Sequence, residues 1–246
     1  MNADDLGMSD SVNEAIFEGM RSRVITSATI LANGPALESA ARALHKFPHC
    51  SFGVHLNLTE FEPVRRESRK QLASIIDGHG CFNGNSIREV NIDTRLLRAI
   101  FWEWCGQIEK LMQLGVELSH LDAHHHVHTI PRLLPVLIAL RRRFKINKIR
   151  ISRNMYDDIE HPGRMLLEKK RLFNAALRAI GFRTTRIFTD LGTFIKLCAD
   201  DPPRARSAEL MTHPDMSVRS AEASLLAVVW PEKLSYKSSL ISYKSL

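Results

Sequence analysis

Along this chain, short runs rich in β-branched residues alternate with longer runs whose apolar residues recur every three or four positions. Residues 24–31, 52–58, 116–121, 148–152, 185–190 and 208–212 carry the first pattern and predict strands. Residues 11–20 and 35–44, and a long stretch through Leu97, Phe101, Trp104, Ile108 and Leu111, carry the second and predict helices. A further helix begins at Pro131, a residue suited to a first helical turn, and runs to about Arg143. Ser11 and Glu14 have the spacing of a capping box, and Val12, Ile16, Gly19 and Met20 give the inner face of the first helix. Trp102 and Trp104 read as packing residues. Residues 60–94, with the turn cluster Asp77-Gly78-His79-Gly80, break the pattern and predict an inserted loop region. The alternation argues for parallel strands joined by right-handed crossovers, hence an α/β barrel or an open doubly wound sheet. No repeat, low-complexity tract or linker interrupts it, so residues 1–246 read as a single domain.

Composition changes this picture little. At 44% hydrophobic, 246 residues can bury a substantial core. The net charge of +7 raises nucleic acid as a partner, but the basic residues are scattered. Their largest cluster, Arg141, Arg142 and Arg143, reads as the solvated end of a helix whose dipole it complements. No nucleic-acid partner is expected. The four cysteines, at 50, 81, 105 and 198, match no C-x-x-C or zinc-ligand spacing and read as free thiols. The start shows no charged segment followed by an apolar run, and no stretch is apolar for long enough to span a bilayer. The expectation is a soluble, cytoplasmic protein without a membrane partner.

Four segments concentrate metal-binding and acid–base side chains. They are N-A-D-D at 2–5, G-V-H-L-N at 53–57, D-A-H-H-H-V-H at 122–128 and E-L-M-T-H-P at 209–214. All but the first follow or end a predicted strand, and in a parallel barrel such ends converge on one face. Taken singly, each is weak. An Asp-Asp pair near a chain end is commonly a solvated turn, and a histidine in an apolar strand is commonly a hydrogen-bonded core residue. Four histidines at 124, 125, 126 and 128 are harder to attribute to chance. In an extended stretch, His124, His126 and His128 would face one side and His125 the other. One or two then serve as ligands, and the rest orient ligands or bind substrate. One carboxylate and two imidazoles hold a divalent ion and leave positions open for water and substrate. A second carboxylate takes the water proton, and an acid on the opposite side protonates the departing amine. The adjacent Asp4 and Asp5 suit the split between base and ligand, and His213 suits the acid.

In this order, the four segments resemble the YdjC-like carbohydrate deacetylase family, which includes chitooligosaccharide and hopanoid-associated deacetylases. The family's N-A-D-D-[FL]-G stands here at residues 2–7, its G-[VM]-H at 53–55, its H-[LI]-D-[SA]-H-H-H-V-H at 120–128 and its E-[LV]-M-[CT]-H-P at 209–214. Ser9, Asn13 and residues 24–27 also match, with weaker echoes at 240–243. The resemblance implies a distorted β/α barrel of the NodB-like, TIM-like kind and removal of N-acetyl groups from a small sugar or oligosaccharide. It implies Asp5, His55 and His124 as metal ligands, Asp4 as base and His213 as an acid or oxyanion-stabilising group. His126, His128, Arg150 and Glu209 are the expected substrate contacts. Magnesium is the ion the resemblance favours, while residue chemistry equally allows zinc. A homodimer is a further family-level expectation.

One departure stands out. A short apolar strand usually precedes N-A-D-D, whereas here only Met1 does. The barrel is therefore expected to lack most of its first strand, with Asp5 on a fraying end and metal binding weakened. A rival reading follows: a catalytically impaired metal- or carbohydrate-binding homologue. A phosphoesterase on a similar barrel is the other chemical alternative.

Overall fold

The computed structural model describes residues 1–84, 86–159, 162–215 and 234–246. Six parallel strands form one curled sheet, a half-barrel in the order β4-β3-β2-β1-β6-β5. They are β1 Asn2–Leu6, β2 Ser27–Ile30, β3 Ser51–Leu56, β4 Leu118–Ala123, β5 Ile187–Asp190 and β6 Ala208–Thr212. Seven helices are described among them: α1 Asp10–Arg21, α2 Leu37–Ala43, α3 Ser86–Glu89, α4 Thr94–Gln113, α5 Leu134–Phe144, α6 Arg164–Ala179 and α7 Leu191–Cys198. Among the described residues, no helix is long and apolar enough to cross a membrane.

The strands explain why so many polar residues lie in the core. Each alternates with period two, and the two sets of side chains point to opposite faces. In β2 and β3 the apolar set is Ala28, Ile30, Phe52, Val54 and Leu56, which joins the hydrophobic core. The other set is Ser27, Thr29, Ser51, Gly53 and His55, buried as well. Asn2, Asp4, His120, Asp122 and Glu209 continue it on β1, β4 and β6. These polar side chains bond to one another. Asn2 Nδ2 donates to Thr29 Oγ1 at 3.2 Å, Thr29 Oγ1 donates to Asp122 Oδ2 at 3.0 Å, and His120 Nε2 meets Asn2 Oδ1 at 3.1 Å. Gly53 is required within this set. A Cβ there would stand 2.6 Å from the His120 ring.

The expected loss of the first strand is corrected. β1 is present and central, paired with β2 through Asn2, Ala3 and Leu6 and with β6 through Asn2 and Ala3. Asp4 and Asp5 are buried rather than fraying. The pairing with β2 shifts register between Ala3 and Leu6, where Asp5 adopts a left-handed φ of 67°. Such a bulge re-aims a side chain, and here it lets two consecutive aspartates face the same pocket.

Other expectations shift locally. The cap of α1 is Ser9, whose Oγ accepts from Val12 N at 3.1 Å, so the Ser11–Glu14 box does not form. Glu14 pairs instead with Arg21. Trp104 is buried, but Trp102 lies on the surface beneath the guanidinium groups of Arg65 and Arg143. Residues 148–152 make only isolated bridges, between Ile149 and Leu121 of β4 and between Lys148 and Arg183. That is enough to carry Arg150 into the barrel interior, where it is fully buried. The Lys- and Ser-rich C-terminal tail, residues 231–246, also finds a place through its described part. Tyr243 closes the lower end of the half-barrel, its N–H on Ser27 and Ser51 Oγ and its ring stacked on His120 with centroids 3.7 Å apart. Pro231, Glu232 and Lys233 of that tail lie outside the described residues.

Candidate active site

At the upper, C-terminal ends of the strands lies a pocket of about 530 Å³, lined by Asp4, Asp5, His55, Arg88, His124, His125, His126 and His213. Residues from β1, β3, the turn after β4 and the end of β6 therefore meet, as barrel topology requires.

The turn after β4 is not the extended stretch expected of it. His124–Thr129 winds into a 3₁₀ turn in which His125 and His126 both take left-handed conformations, at φ 50° and 56°. The four histidines consequently do not share one face: the His124 and His125 rings stack on each other, and His126 and His128 turn elsewhere. The Nδ1 of His124 reaches Asp5 Oδ1 at 2.8 Å, and that of His125 reaches Thr59 Oγ1 at 3.1 Å. The His126 ring lies edge-on to Phe188, and His128 Nε2 sits under the floor against the Arg150 carbonyl at 3.1 Å. The expected contacts His128, Arg150 and Glu209 do not line the pocket, because each is buried beneath it.

Beneath the pocket lies a network of charges. Arg150 holds Asp4 with two bonds of 2.6 Å, Asp122 Oδ2 at 2.8 Å and Glu209 Oε1 at 2.7 Å, its guanidinium resting 4.7 Å over the Phe188 ring. Glu209 also accepts a short hydrogen bond from the Tyr243 hydroxyl. Burial works against the charged form of Asp4, but the charge and paired hydrogen bonds of Arg150 outweigh it and hold the carboxyl below its usual range. Burial likewise opposes a charge on His55. The 2.6 Å contact of its Nδ1 with Asp122, together with Asp5 and Asp4, prevails and pushes its pKa up to about 10.

Among the described residues, Asp5, His55 and His124 can each offer one atom to a metal ion, all within 4.8 Å of one another. The details fit an ion. Asp5 Oδ1 is buried 3.2 Å from His55 Nε2 and 2.8 Å from His124 Nδ1, yet neither contact has hydrogen-bond geometry and the oxygen has no partner. The carboxylates around His55 call for positive charge at this point, which a bound ion would supply in place of the Nε2 proton. Asp122 on Nδ1 fixes which nitrogen faces Asp5. Asp4, His55 and Asp122 form another set of the right spacing, but Arg150 already occupies both of its carboxylates.

Comparison with known proteins agrees with the motifs at the level of family. The family model of the YdjC-like proteins matches residues 1–235. This chain belongs to the YdjC-like family. A relative from Brevibacillus brevis named carbohydrate deacetylase is 30% identical over 218 residues, 87% of this chain and 79% of that protein. One of the same name from Geobacillus stearothermophilus is 35% identical over 160 residues, 62% of this chain. That match spans 60% of the Geobacillus protein's length. A crystal structure from Enterococcus faecalis V583, described as a candidate cellobiose-phosphate cleavage protein, superposes with a TM-score of 0.75. The superposition covers 99% of this chain and 96% of the other at 24% identity, and it shows the shared fold.

In this YdjC-like chain, sequence reasoning passed over Asp122, Glu60 and Tyr243. Asp122 had a signal, since it alternates with His120 inside the His-rich motif. Tyr243 had only the weak family echo at 240–243, and Glu60 had none, because loop positions carry no period.

The buried histidines also set a pH dependence. Burial depresses His120 and His126 to about 3 and His128 to about 4. All three stay neutral in the fold at pH 5, whereas an unfolded histidine binds its proton near ~6.5. Between those values the unfolded chain holds more protons, so stability falls as pH falls, by up to ~4.1 kcal/mol per pH unit for the three. His55, raised to about 10, is protonated in both states across this window and adds no slope. Denaturant midpoints of the metal-free protein between pH 6 and pH 4 check this. A His128→Gln variant should lose about a third of the slope, and an unchanged slope would remove His128 from the account.

Proposed function

We propose that this YdjC-like chain is a metal-dependent hydrolase that removes an N-acetyl group from a small sugar or oligosaccharide. The observation that carries the reading is the convergence of Asp5, His55 and His124 on one unpartnered carboxylate oxygen at the pocket floor. The names of the relatives support the substrate class. Magnesium is the ion favoured by the family resemblance, and two imidazoles with a carboxylate also suit zinc. Either ion, when bound, polarises the amide carbonyl and acidifies a water.

The remaining steps belong to the chain's own side chains. Asp4, held ionised by Arg150, accepts the proton of the attacking water. His213 follows β6 with its ring half exposed, 3.8 Å from Asp4 Oδ2, and donates a proton to the departing amine. His126 forms part of the wall against which the sugar rests. Arg150 acts from below by holding Asp4, and Glu209 by holding Arg150. The case for an impaired homologue rested on a missing first strand, and β1 removes that ground.

The test is a screen for acetate release from diacetylchitobiose and other N-acetyl sugars, with Mg²⁺ or Zn²⁺ supplied. Release is expected in the wild type and none in Asp5→Ala or His124→Ala. Activity that survives both substitutions would remove the proposed site. Sugar binding with no release from any substrate would favour a binding protein.

A further inference from the structure

The ring of His124 stands between two carboxylates. Its Nδ1 faces Asp5. Its Nε2 points the other way, 3.5 Å from Glu60 Oε1, and has no hydrogen-bond partner although the residue is only 5% exposed. His125 brings a third donor. Its ring packs on His124 with centroids 4.0 Å apart, and its Nε2 lies 3.9 Å from the same Glu60 oxygen. Glu60, His124 and His125 thus offer three atoms within 4.8 Å of one another.

These positions are fixed by their surroundings. Asn57 Oδ1 accepts from the backbone N–H groups of Thr59 and Glu60, and Gln107 of α4 bonds both backbone groups of Asn57. The Asn33 and Asn57 amides both donate to the Glu60 carbonyl. The Arg88 guanidinium donates to the His125 carbonyl at 2.5 Å, and Thr59 engages His125 Nδ1, which leaves Nε2 toward Glu60. Glu60 and His125 are partly exposed, so an ion reaches them without passing the inner triad.

We propose that Glu60, His124 and His125 form a second, outer cation site at the pocket mouth. Two imidazoles among three donors select Zn²⁺ over Mg²⁺. Where the inner ion holds Nδ1, loading the outer site sends the Nε2 proton of His124 to solvent. The two sites share one imidazole and oppose each other. Two dipositive ions on either side of a single ring repel enough to weaken the second on the order of 100-fold, even at the dielectric constant of water.

Zn²⁺ titrated calorimetrically into the metal-free full chain tests this, with circular dichroism to confirm that each variant is folded. Wild type is expected to show a tight event and a second one ~100-fold weaker. Glu60→Gln and His125→Ala should each lose the weaker event and keep the tight one. Asp5→Ala, or Asp5→Asn should the alanine variant not fold, should lose the tight event and bind more strongly at the remaining site. Mg²⁺ should give no outer event. A single event in wild type, or two events in both Glu60→Gln and His125→Ala, would overturn the outer site. Two events persisting in the Asp5 variant would overturn the inner triad instead and leave the outer assignment standing.

Discussion

An Arg150→Met variant is expected to lose about 3–5 kcal/mol of stability or to fail to accumulate as folded protein. Arg150 is the fully buried cation against which Asp4, Asp122 and Glu209 are neutralised. Methionine fills much of the same space and leaves those carboxylates facing one another in a medium that solvates charge poorly. Denaturant midpoints measure the loss. The cause separates from a packing defect in a second variant, Arg150→Met with Glu209→Gln, which removes one orphaned charge and should recover part of the stability. A cavity would predict no recovery. Arg150→Lys should fall between, since an ammonium keeps the charge but cannot pair both oxygens of Asp4 in one plane. A loss below ~1 kcal/mol for Arg150→Met, the range of an exposed pair, would mean that the carboxylates are not ionised together.

The same network shows where the sequence was readable. Short runs of β-branched and other apolar residues marked β2, β3, β4, β5 and β6, because one face of each strand is apolar against helices. The polar face, which looks like surface in a sequence, turned out to be an interior whose groups satisfy one another. β1 was harder, because N-A-D-D-L carries only Ala3 and Leu6 as apolar residues and a bulge breaks its alternation. Helix α6 went unread although its sequence is helical. Met165 and Leu172 face solvent, at 72% and 71% exposure, which blurs the stripe formed by Phe173 and Leu177. Helix α7 had no boundary to detect, because Asp190 both ends β5 and caps the helix by accepting from Thr193 N. At the site, motif residues were legible as a group, but their directions were not. Two left-handed residues at His125 and His126 scatter the histidines, and no local pattern announces them. Arg150 was expected as a substrate contact. Its role as the shared counter-ion appears only once β1, β4 and β6 are brought around it.

Turnover in an Asp4→Asn variant is expected to fall by about 10²–10⁴, with metal affinity close to wild type. Asp4 and Asp5 are the carboxylates that line the pocket, and Asp5 is the one whose oxygen faces both imidazoles. In the proposed reaction that leaves Asp4 to take the proton. Arg150 keeps it ionised, which makes it a weaker base than a free carboxylate but one already charged and fixed in place. Asparagine preserves the volume and one acceptor for Arg150, and it cannot hold the water's proton. Arg150 would still have Asp122 and Glu209, so the variant should fold more readily than Arg150→Met. Loss of kcat with little change in KM would place the effect in the reaction rather than in sugar binding. Metal titration on the same preparation separates it from damage to the triad. A turnover within roughly tenfold of wild type would exclude Asp4 as the base and turn attention to His213, the titratable group that faces it across the pocket.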